Sequence, residues 1–392
     1  MKKIIILSLI CLFLFPKNIY AKTETDENTS ESDLTPNATS AIMIEASTGE
    51  ILYEKNANEK LAPASMTKMM SMLLIMEQIE KGTLSWDEQV TVSENASSMG
   101  GSQIFLETGE KMSVQDLLKG ISIASGNDAT VAMAERIAGS EDAFVKMMNE
   151  RAKELGLTST NFKNATGLDD ENHYSSAHDM AMIAKELVKH DKILEFTGTY
   201  EDYLRQNTDK SFWLVNTNKL VRYYQGVDGL KTGFTNTAGY CLTSTALRDD
   251  LRLITVVMNE PDPSSRSKET SALLDYGFNL YQMNNILSKD TIIGKVKVDL
   301  GQIEEVEVIP TEDVKILSKK NETSGEITYE KTINKLKAPI KQGDIIGNIT
   351  ILEDGNKIKT IDLTVQEDVS KVGFFQALLR NYEDILKGNM NI

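Results

Sequence analysis

Strand-like segments stand at both ends of a long helical block, and this order constrains the fold more than any other feature of the chain. Residues 41–46 form a short apolar run, Thr48-Gly49 a turn, and residues 51–53 a second strand-like run. From Pro63 to about His190 the apolar residues recur every three or four positions instead, as in Met66, Met69, Met70, Leu73 and Leu74. Ser85 with Glu88, Ser113 with Asp116 and Ser176 with Asp179 are N-terminal capping signals within this block. Strand character returns in residues 239–246 and 251–258, joined by the polar turn Arg248-Asp249-Asp250, and residues 270–280 read as a closing helix. The expectation is an α/β domain whose sheet joins both ends of the segment, with the helical block inserted between them.

From about Ile292 the character changes to short alternating runs at residues 292–298, 306–309, 345–352 and 357–365. Asp354-Gly355 is a hairpin signal between the last two. This predicts a separate small β-rich domain, and it holds no His, Cys or Trp. Residues 374–387 are amphipathic: Phe374, Phe375, Leu378, Leu379, Tyr382, Ile385 and Leu386 share one helical face, and Gln376, Arg380, Glu383, Asp384 and Lys387 the other. The predicted organisation is a signal peptide at 1–21, a flexible leader at 22–36, a catalytic domain at 37–285, a β-rich domain at 286–368 and a membrane-associating helix at 369–392.

The signal peptide rests on Lys2 and Lys3, the apolar run 4–15 and Ala21, which together read as a secretory signal cut after Ala21. Twelve apolar residues are too few to cross a bilayer, which takes about 20. Cleavage removes three lysines and no acid, taking the formal net charge from -16 to -19. So acidic a chain is repelled by phosphate backbones, which excludes nucleic acid as a partner. Cleavage also removes Cys11, leaving Cys241 alone and without an internal disulfide partner, as a buried small apolar residue.

Three short motifs carry the chemistry: Ser65-Met66-Thr67-Lys68, Ser125-Gly126-Asn127 and Lys231-Thr232-Gly233. A closely similar trio, S-x-x-K with S-D-N and K-T-G, marks penicillin-binding proteins and class A β-lactamases. Singly the motifs are weak, since S-x-x-K recurs at Ser265-Arg266-Ser267-Lys268 and S-x-N at Ser93 and Ser159. Context separates the copies. Ser65 follows Pro63 and begins an apolar-striped helix, and Lys68, three residues on, shares its helical face. A serine hydroxyl needs a base to become a nucleophile, and a lysine made neutral by burial and nearby positive charge can serve. Ser125-Gly126-Asn127 reads as a loop between two helices. Lys231-Thr232-Gly233 reads as the opening of a strand, its glycine admitting substrate close to the backbone.

With these residues the chain resembles the low-molecular-mass D-alanyl-D-alanine carboxypeptidases, the serine peptidases of the penicillin-binding protein 5 type, in which the second motif is usually Ser-Gly-Asn. Ala62-Pro63-Ala64-Ser65, Ile104-Phe105-Leu106 with Gly109-Glu110, residues 124–129, 164–168 and 176–181, and Val227-Asp228-Gly229 carry the resemblance further, over roughly residues 41–280. It implies a penicillin-binding protein/β-lactamase-like α/β fold, a sheet flanked by helices with a helical subdomain, ahead of the β-rich domain and the amphipathic helix. It implies a catalytic trio of Ser65, acylated, Lys68, its general base, and Ser125, relaying a proton to the leaving D-alanine amine. It places Asn127 on the substrate amide, Lys231 as positive charge, and Thr232 on the terminal carboxylate, with Gly233 beside them. The N–H groups of Ser65 and Phe234 become the oxyanion hole, and Arg266 a carboxylate-binding residue. No cofactor and no metal are implied. The implied partners are peptidoglycan peptide stems, β-lactams as inhibitors and a membrane surface through the C-terminal helix. The implied location is the outer face of the cytoplasmic membrane or the cell wall. A D,D-endopeptidase shares this chemistry; a β-lactamase needs an extra carboxylate, and no Glu-x-x-x-Asn segment lies between the second and third motifs; a non-catalytic penicillin-binding protein would carry degraded motifs.

His173, His178 and His190 lack the i, i+4 spacing of a helical zinc pair and read as structural. The methionines of 66–76 read as adaptable core, and Trp86 and Trp213 as packing residues.

Overall fold

The computed structural model describes residues 33–322 and 325–386. The signal peptide and its cut after Ala21 lie outside the described residues. In chain order the elements are β1 Ser40–Glu45, β2 Ile51–Lys55, a 3-10 turn Ala64–Thr67, α1 Lys68–Glu80, β3 Gln89–Thr91, α2 Glu94–Ser97, β4 Lys111–Ser113, α3 Val114–Ala124, α4 Asn127–Ala138, α5 Glu141–Glu154, α6 Ala177–Leu187, α7 Asp191–Thr197, β5 Glu201–Leu204, β6 Phe212–Val215, α8 Leu220–Tyr223, β7 Val227–Thr235, β8 Gly239–Arg248, β9 Leu251–Glu260 and α9 Pro263–Leu280. The β-rich part adds β10 Tyr281–Leu287, β11 Gly294–Asp299, β12 Glu305–Pro310, β13 Val314–Lys319, β14 Ile327–Ile333, β15 Leu336–Lys337, β16 Gly347–Glu353 and β17 Asn356–Val365, before α10 Phe374–Leu386.

One five-stranded sheet, ordered β2-β1-β9-β8-β7, does join the two ends of the first segment. β1 lies antiparallel to β9, with Ser40 opposite Met258 and Glu45 opposite Leu253. Alternate side chains serve opposite faces. Ile42, Ile44, Ile254, Val256 and Met258 join the core shared with the helical block, while Met43 and Leu253 meet Gly277 of α9. Both faces are covered, so these strands are almost wholly apolar even though the sheet is antiparallel. α1 runs through the core of the helical block and is buried on every side from Lys68 to Met76, which is where the methionines go. A helix apolar all round belongs in such a position.

Ser113 caps α3 and Ser176 caps α6, each through its hydroxyl. Ser85 caps no helix. It opens a turn closed by the Glu88 N–H, because the carbonyls of Trp86 and Glu88 take the N–H groups of Gln115 and Val114. Trp86 stacks on Phe196 as a packing residue, but Trp213 stands 54% exposed on the outer face of the β5–β6 hairpin. Cys241 is buried, and burial pushes its thiol up to about 12.

The β-rich part builds a six-stranded sheet, β14-β16-β17-β12-β11-β15, and a β10–β13 pair. Asp354 and Gly355 both take positive φ, 49° and 79°, and close the β16–β17 hairpin with Glu353 opposite Asn356. That is the geometry a two-residue Asp-Gly loop favours. α10 is held by its polar side: Arg380 donates to the carbonyls of Gly301 and Gln302. Phe374, Phe375, Leu378, Leu379 and Tyr382 are all exposed.

Candidate active site

Ser65 lies in the 3-10 turn that leads into α1, and the turn is pinched from two directions. A Cβ on Gly167 would lie 1.9 Å from the Ala64 carbonyl oxygen, and one on Gly233 would lie 2.8 Å from that of Pro63. The loop around Gly167 and strand β7 therefore close on the turn only because neither carries a side chain there. Gly233 is thus required by the protein's own backbone. Ala64 itself takes a positive φ of 46°, a conformation an alanine keeps only where its surroundings impose it.

Lys68 is fully buried beneath this turn. Its Nζ is 3.0 Å from Ser65 Oγ, 2.6 Å from Asn127 Oδ1 and 2.7 Å from the Thr166 carbonyl oxygen. Burial first, and the charge of Lys231 second, hold its pKa well below the ordinary lysine value, against a smaller opposing effect of Asp128. A neutral amine keeps two N–H groups for Asn127 and Thr166, which leaves its lone pair facing the Ser65 hydroxyl. The amide of Asn127 is oriented by its other end, where Nδ2 donates to the Gly100 carbonyl at 2.7 Å.

Ser125 ends α3 in the left-handed conformation, φ 65°, and Asn127 begins α4, so the motif is the predicted loop between helices. Asp128 fixes the wall beside it by accepting the N–H groups of Ile104 and Leu106. Lys231 and Thr232 lie in the middle of β7, the edge strand of the sheet, and not at its opening. Burial and the charge of Arg266 bring Lys231 down to about 7. Arg266, in the first turn of α9, is itself buried, and its Nε has no partner among the described residues. Phe234 is exposed and stacks on Tyr240 at 4.3 Å. Ser265 gives its hydroxyl proton to Asp262, the helix cap, which marks that S-x-x-K copy as a capping turn.

All three motifs thus meet, with Arg266 coupled to them through Lys231. The motif pattern alone does not reveal the Thr166 carbonyl that holds Lys68, the Asp128 clamp, or Thr217, whose Oγ1 accepts the Thr232 hydroxyl proton at 2.7 Å. Among the described residues no group of three or more His, Cys, Asp or Glu could hold a metal ion. His173 is structural: its Nδ1 accepts the Lys163 N–H, which leaves the proton on Nε2 for Thr67 Oγ1 at 2.8 Å.

Burial lowers the pKa of His173 from 6.5 to about 4. A base that binds its proton more weakly when folded stabilises the fold fully above about pH 6.5, and that contribution is lost as pH falls from there through about 4. The stabilisation at neutral pH is on the order of 3 kcal/mol. Thermal unfolding midpoints should therefore drop between pH 6.5 and 4.5, and His173→Gln should flatten the drop. Parallel pH profiles for the two proteins would refute it.

A half-buried serine against a fully buried lysine, an S-x-N loop and a K-T-G edge strand on this sheet define an acyl-transferring serine enzyme of the penicillin-binding kind. The family model for D-alanyl-D-alanine carboxypeptidase matches residues 26–262, and that for the C-terminal domain of penicillin-binding protein 5 matches residues 281–371. The chain is 49% identical over 379 residues to D-alanyl-D-alanine carboxypeptidase DacF of Bacillus subtilis, covering 96% of this chain and 97% of that one. It is 32% identical to DacA of Escherichia coli, covering 87% and 86%. Among solved structures, penicillin-binding protein 5 from Haemophilus influenzae superposes with a TM-score of 0.67 at 32% identity, covering 86% and 98%. Penicillin-binding protein D2 from Listeria monocytogenes, in an ampicillin-bound form, gives 0.56 at 34% identity, covering 62% and 98%. The chain belongs to the D-alanyl-D-alanine carboxypeptidase family and is a serine-type D-Ala-D-Ala carboxypeptidase.

Proposed function

We propose that Ser65 is the nucleophile that removes the terminal D-alanine from peptidoglycan pentapeptide stems, within a peptidase domain of residues 37–285. Ser65 Oγ attacks the carbonyl carbon of the penultimate D-alanine while Lys68 takes its proton. The tetrahedral oxyanion rests on the N–H groups of Ser65 and Phe234. Ser125 relays that proton from Lys68 to the departing amine, giving up its own and taking the lysine's in exchange, the C–N bond breaks, and free D-alanine leaves an ester on Ser65 that water then hydrolyses. Asn127 holds the substrate amide, and Lys231, Thr232 and Arg266 hold the terminal carboxylate end. The observation that carries this reading is the Lys68 amine, buried and 3.0 Å from Ser65 Oγ. β-Lactams enter the same reaction as inhibitors, a reading supported by the ampicillin-bound relative. The test is D-alanine release from a pentapeptide together with labelled penicillin that maps to the tryptic peptide containing Ser65. Release without that label would overturn the assignment.

The second part of the proposal is attachment. α10 binds the outer face of the cytoplasmic membrane through its apolar side, a shorter stretch than the expected 369–392 because residues 369–372 bridge to the β-rich domain. No helix among the described residues is long and apolar enough to cross a membrane. α10 instead turns its polar side to the β-rich domain through Arg380 and leaves two Phe and a Tyr in the open, as interfacial helices do. Val372 is buried and its N–H donates to the Leu300 carbonyl, so the domain proper runs to Gly373. A chain ending at Gly373 should be active and stay in the supernatant with liposomes that pull down the full chain. Equal sedimentation of both would end the membrane reading.

A further inference from the structure

One of the three contacts that orient Lys68 is a backbone atom, the Thr166 carbonyl at 2.7 Å. Thr166 lies in the connection between α5 and α6, outside every helix and strand. No regular ladder of hydrogen bonds sets the direction of its peptide.

The side chain of Asn164 sets it instead. Its Oδ1 accepts the N–H of Gly167 at 2.7 Å and those of Thr166 and Leu168 at 3.2 Å each. Its Nδ2 donates to the Leu168 carbonyl at 2.9 Å, which closes the loop on itself. No other acceptor takes these three N–H groups among the described residues. In a trans peptide the N–H and the C=O lie in one plane and point opposite ways. Turning the Gly167 N–H onto Asn164 therefore turns the Thr166 carbonyl away from it, onto Lys68. The same holds one peptide earlier: with the Thr166 N–H on Asn164, the Ala165 carbonyl faces α1 and takes the Ser71 hydroxyl proton at 2.8 Å. One side chain thus aims two successive carbonyls at α1. The rest of the loop is anchored without it. Glu141 accepts the Ala165 N–H at 3.0 Å, and Asp169 accepts the hydroxyls of Thr235 and Thr237 at 2.7 and 3.0 Å.

The direction of the Thr166 carbonyl decides what Lys68 offers Ser65. A neutral amine has two N–H groups and one lone pair. Asn127 and Thr166 take the two N–H groups, which leaves the lone pair for the hydroxyl. Without the Thr166 acceptor the amine can turn an N–H toward Ser65 Oγ, and it then donates to the atom it has to deprotonate. The charges acting on Lys68 are Lys231 on β7 and Asp128 on α4, and neither sets this rotation.

We propose that Asn164 is the positioning residue for the general base, holding the Thr166 carbonyl on Lys68 so that the lysine lone pair stays on the Ser65 hydroxyl. The inference rests on the reading of Lys68 as the base that serves Ser65.

The test follows acylation of the full chain by labelled penicillin across pH, beside D-alanine release from a pentapeptide. The wild-type acylation rate should rise with pH as Lys68 loses its proton, then reach a plateau. Asn164→Ala should lower the plateau about 10- to 100-fold, part of the roughly 10²- to 10⁴-fold that a positioned base supplies. The pentapeptide loss should fall in kcat rather than KM. The rising limb should also move to lower pH. An ammonium donates to a carbonyl more strongly than an amine does, so losing that acceptor disfavours the charged form. Asn164→Asp keeps the acceptor oxygen and should recover most of the plateau. Should Asn164→Ala not fold, Asn164→Ser, whose hydroxyl caps such N–H groups more weakly, gives the same reading with a smaller loss. A profile lowered evenly, with its limb unmoved, overturns the proposal, because a smaller folded fraction accounts for it. An Asn164→Asp enzyme as slow as the alanine variant overturns it as well, since the acceptor oxygen then makes no difference. A wild type that takes no label on Ser65 sinks the underlying reading, and the proposal with it. A labelled wild type whose profile Asn164→Ala reproduces overturns the proposal alone.

Discussion

Ser65→Ala should lower D-alanine release by about 10⁴-fold or more and abolish covalent penicillin labelling, because no ester can form without the hydroxyl. Losses of that size follow removal of a serine nucleophile whose partners act as one unit. The variant should fold normally, since Ser65 is only half-buried and the turn around it is held by Gly167, Gly233 and the Lys68 contacts to Asn127 and Thr166. Ser265→Ala is the matched control. Its hydroxyl serves Asp262 at the start of α9, so labelling and turnover should persist. Labelling that survived in Ser65→Ala and vanished in Ser265→Ala would assign the nucleophile to the wrong motif.

The penicilloyl-enzyme should outlive the peptidyl ester by about 10²- to 10⁴-fold, the usual cost of a missing general base. After peptide cleavage the D-alanine departs and water enters. The ring-opened β-lactam stays tethered on that side, so rapid escape needs a base aimed at water from another direction. The group facing Lys68 on the far wall is the Thr166 carbonyl, not a carboxylate. The nearby acids are committed elsewhere: Asp128 to the N–H groups of Ile104, Leu106 and Ala129, and Asp169 to the hydroxyls of Thr235 and Thr237. Intact-mass measurement after penicillin treatment should show an adduct that persists for many peptide turnovers. Its disappearance at the rate of peptide hydrolysis, with sustained penicillin consumption, would make the protein a β-lactamase in practice.

What the sequence revealed depended on how local each signal was. The strand–helix–strand order required β1 and β9 to meet, and they do. The caps at Ser113 and Ser176 were legible because a hydroxyl reaches its own helix, whereas the Ser85 signal failed because the backbone of Trp86 and Glu88 is claimed by residues 114 and 115. Trp213 departs from the packing role its size suggests because a strand on a surface hairpin turns alternate residues to solvent. The edge strand β14 carries almost no apolar pattern because five of its seven residues are exposed. The motif serines and lysines could be read from spacing and context. The Thr166 carbonyl is a backbone atom, for which the motif pattern carries no side-chain signature. Thr217 matters through a contact fifteen residues away in sequence, and the crowding that demands Gly233 comes from Pro63 and Ala64, far upstream.

The pairing of β1 with β9 also sets the timing of folding. Every residue of Ser40–Glu45 is buried, yet the strand that covers it, Leu251–Glu260, leaves a ribosome or a translocation pore some two hundred residues later. Contacts so distant in sequence form slowly, since the intervening loop must be closed before they contribute. A nascent chain shorter than about 260 residues has no way to complete the sheet against which the Ser65 helix packs. A chain threaded outward from its N-terminus would therefore stay extensible during passage and gain its nucleophile only after the first domain had emerged whole.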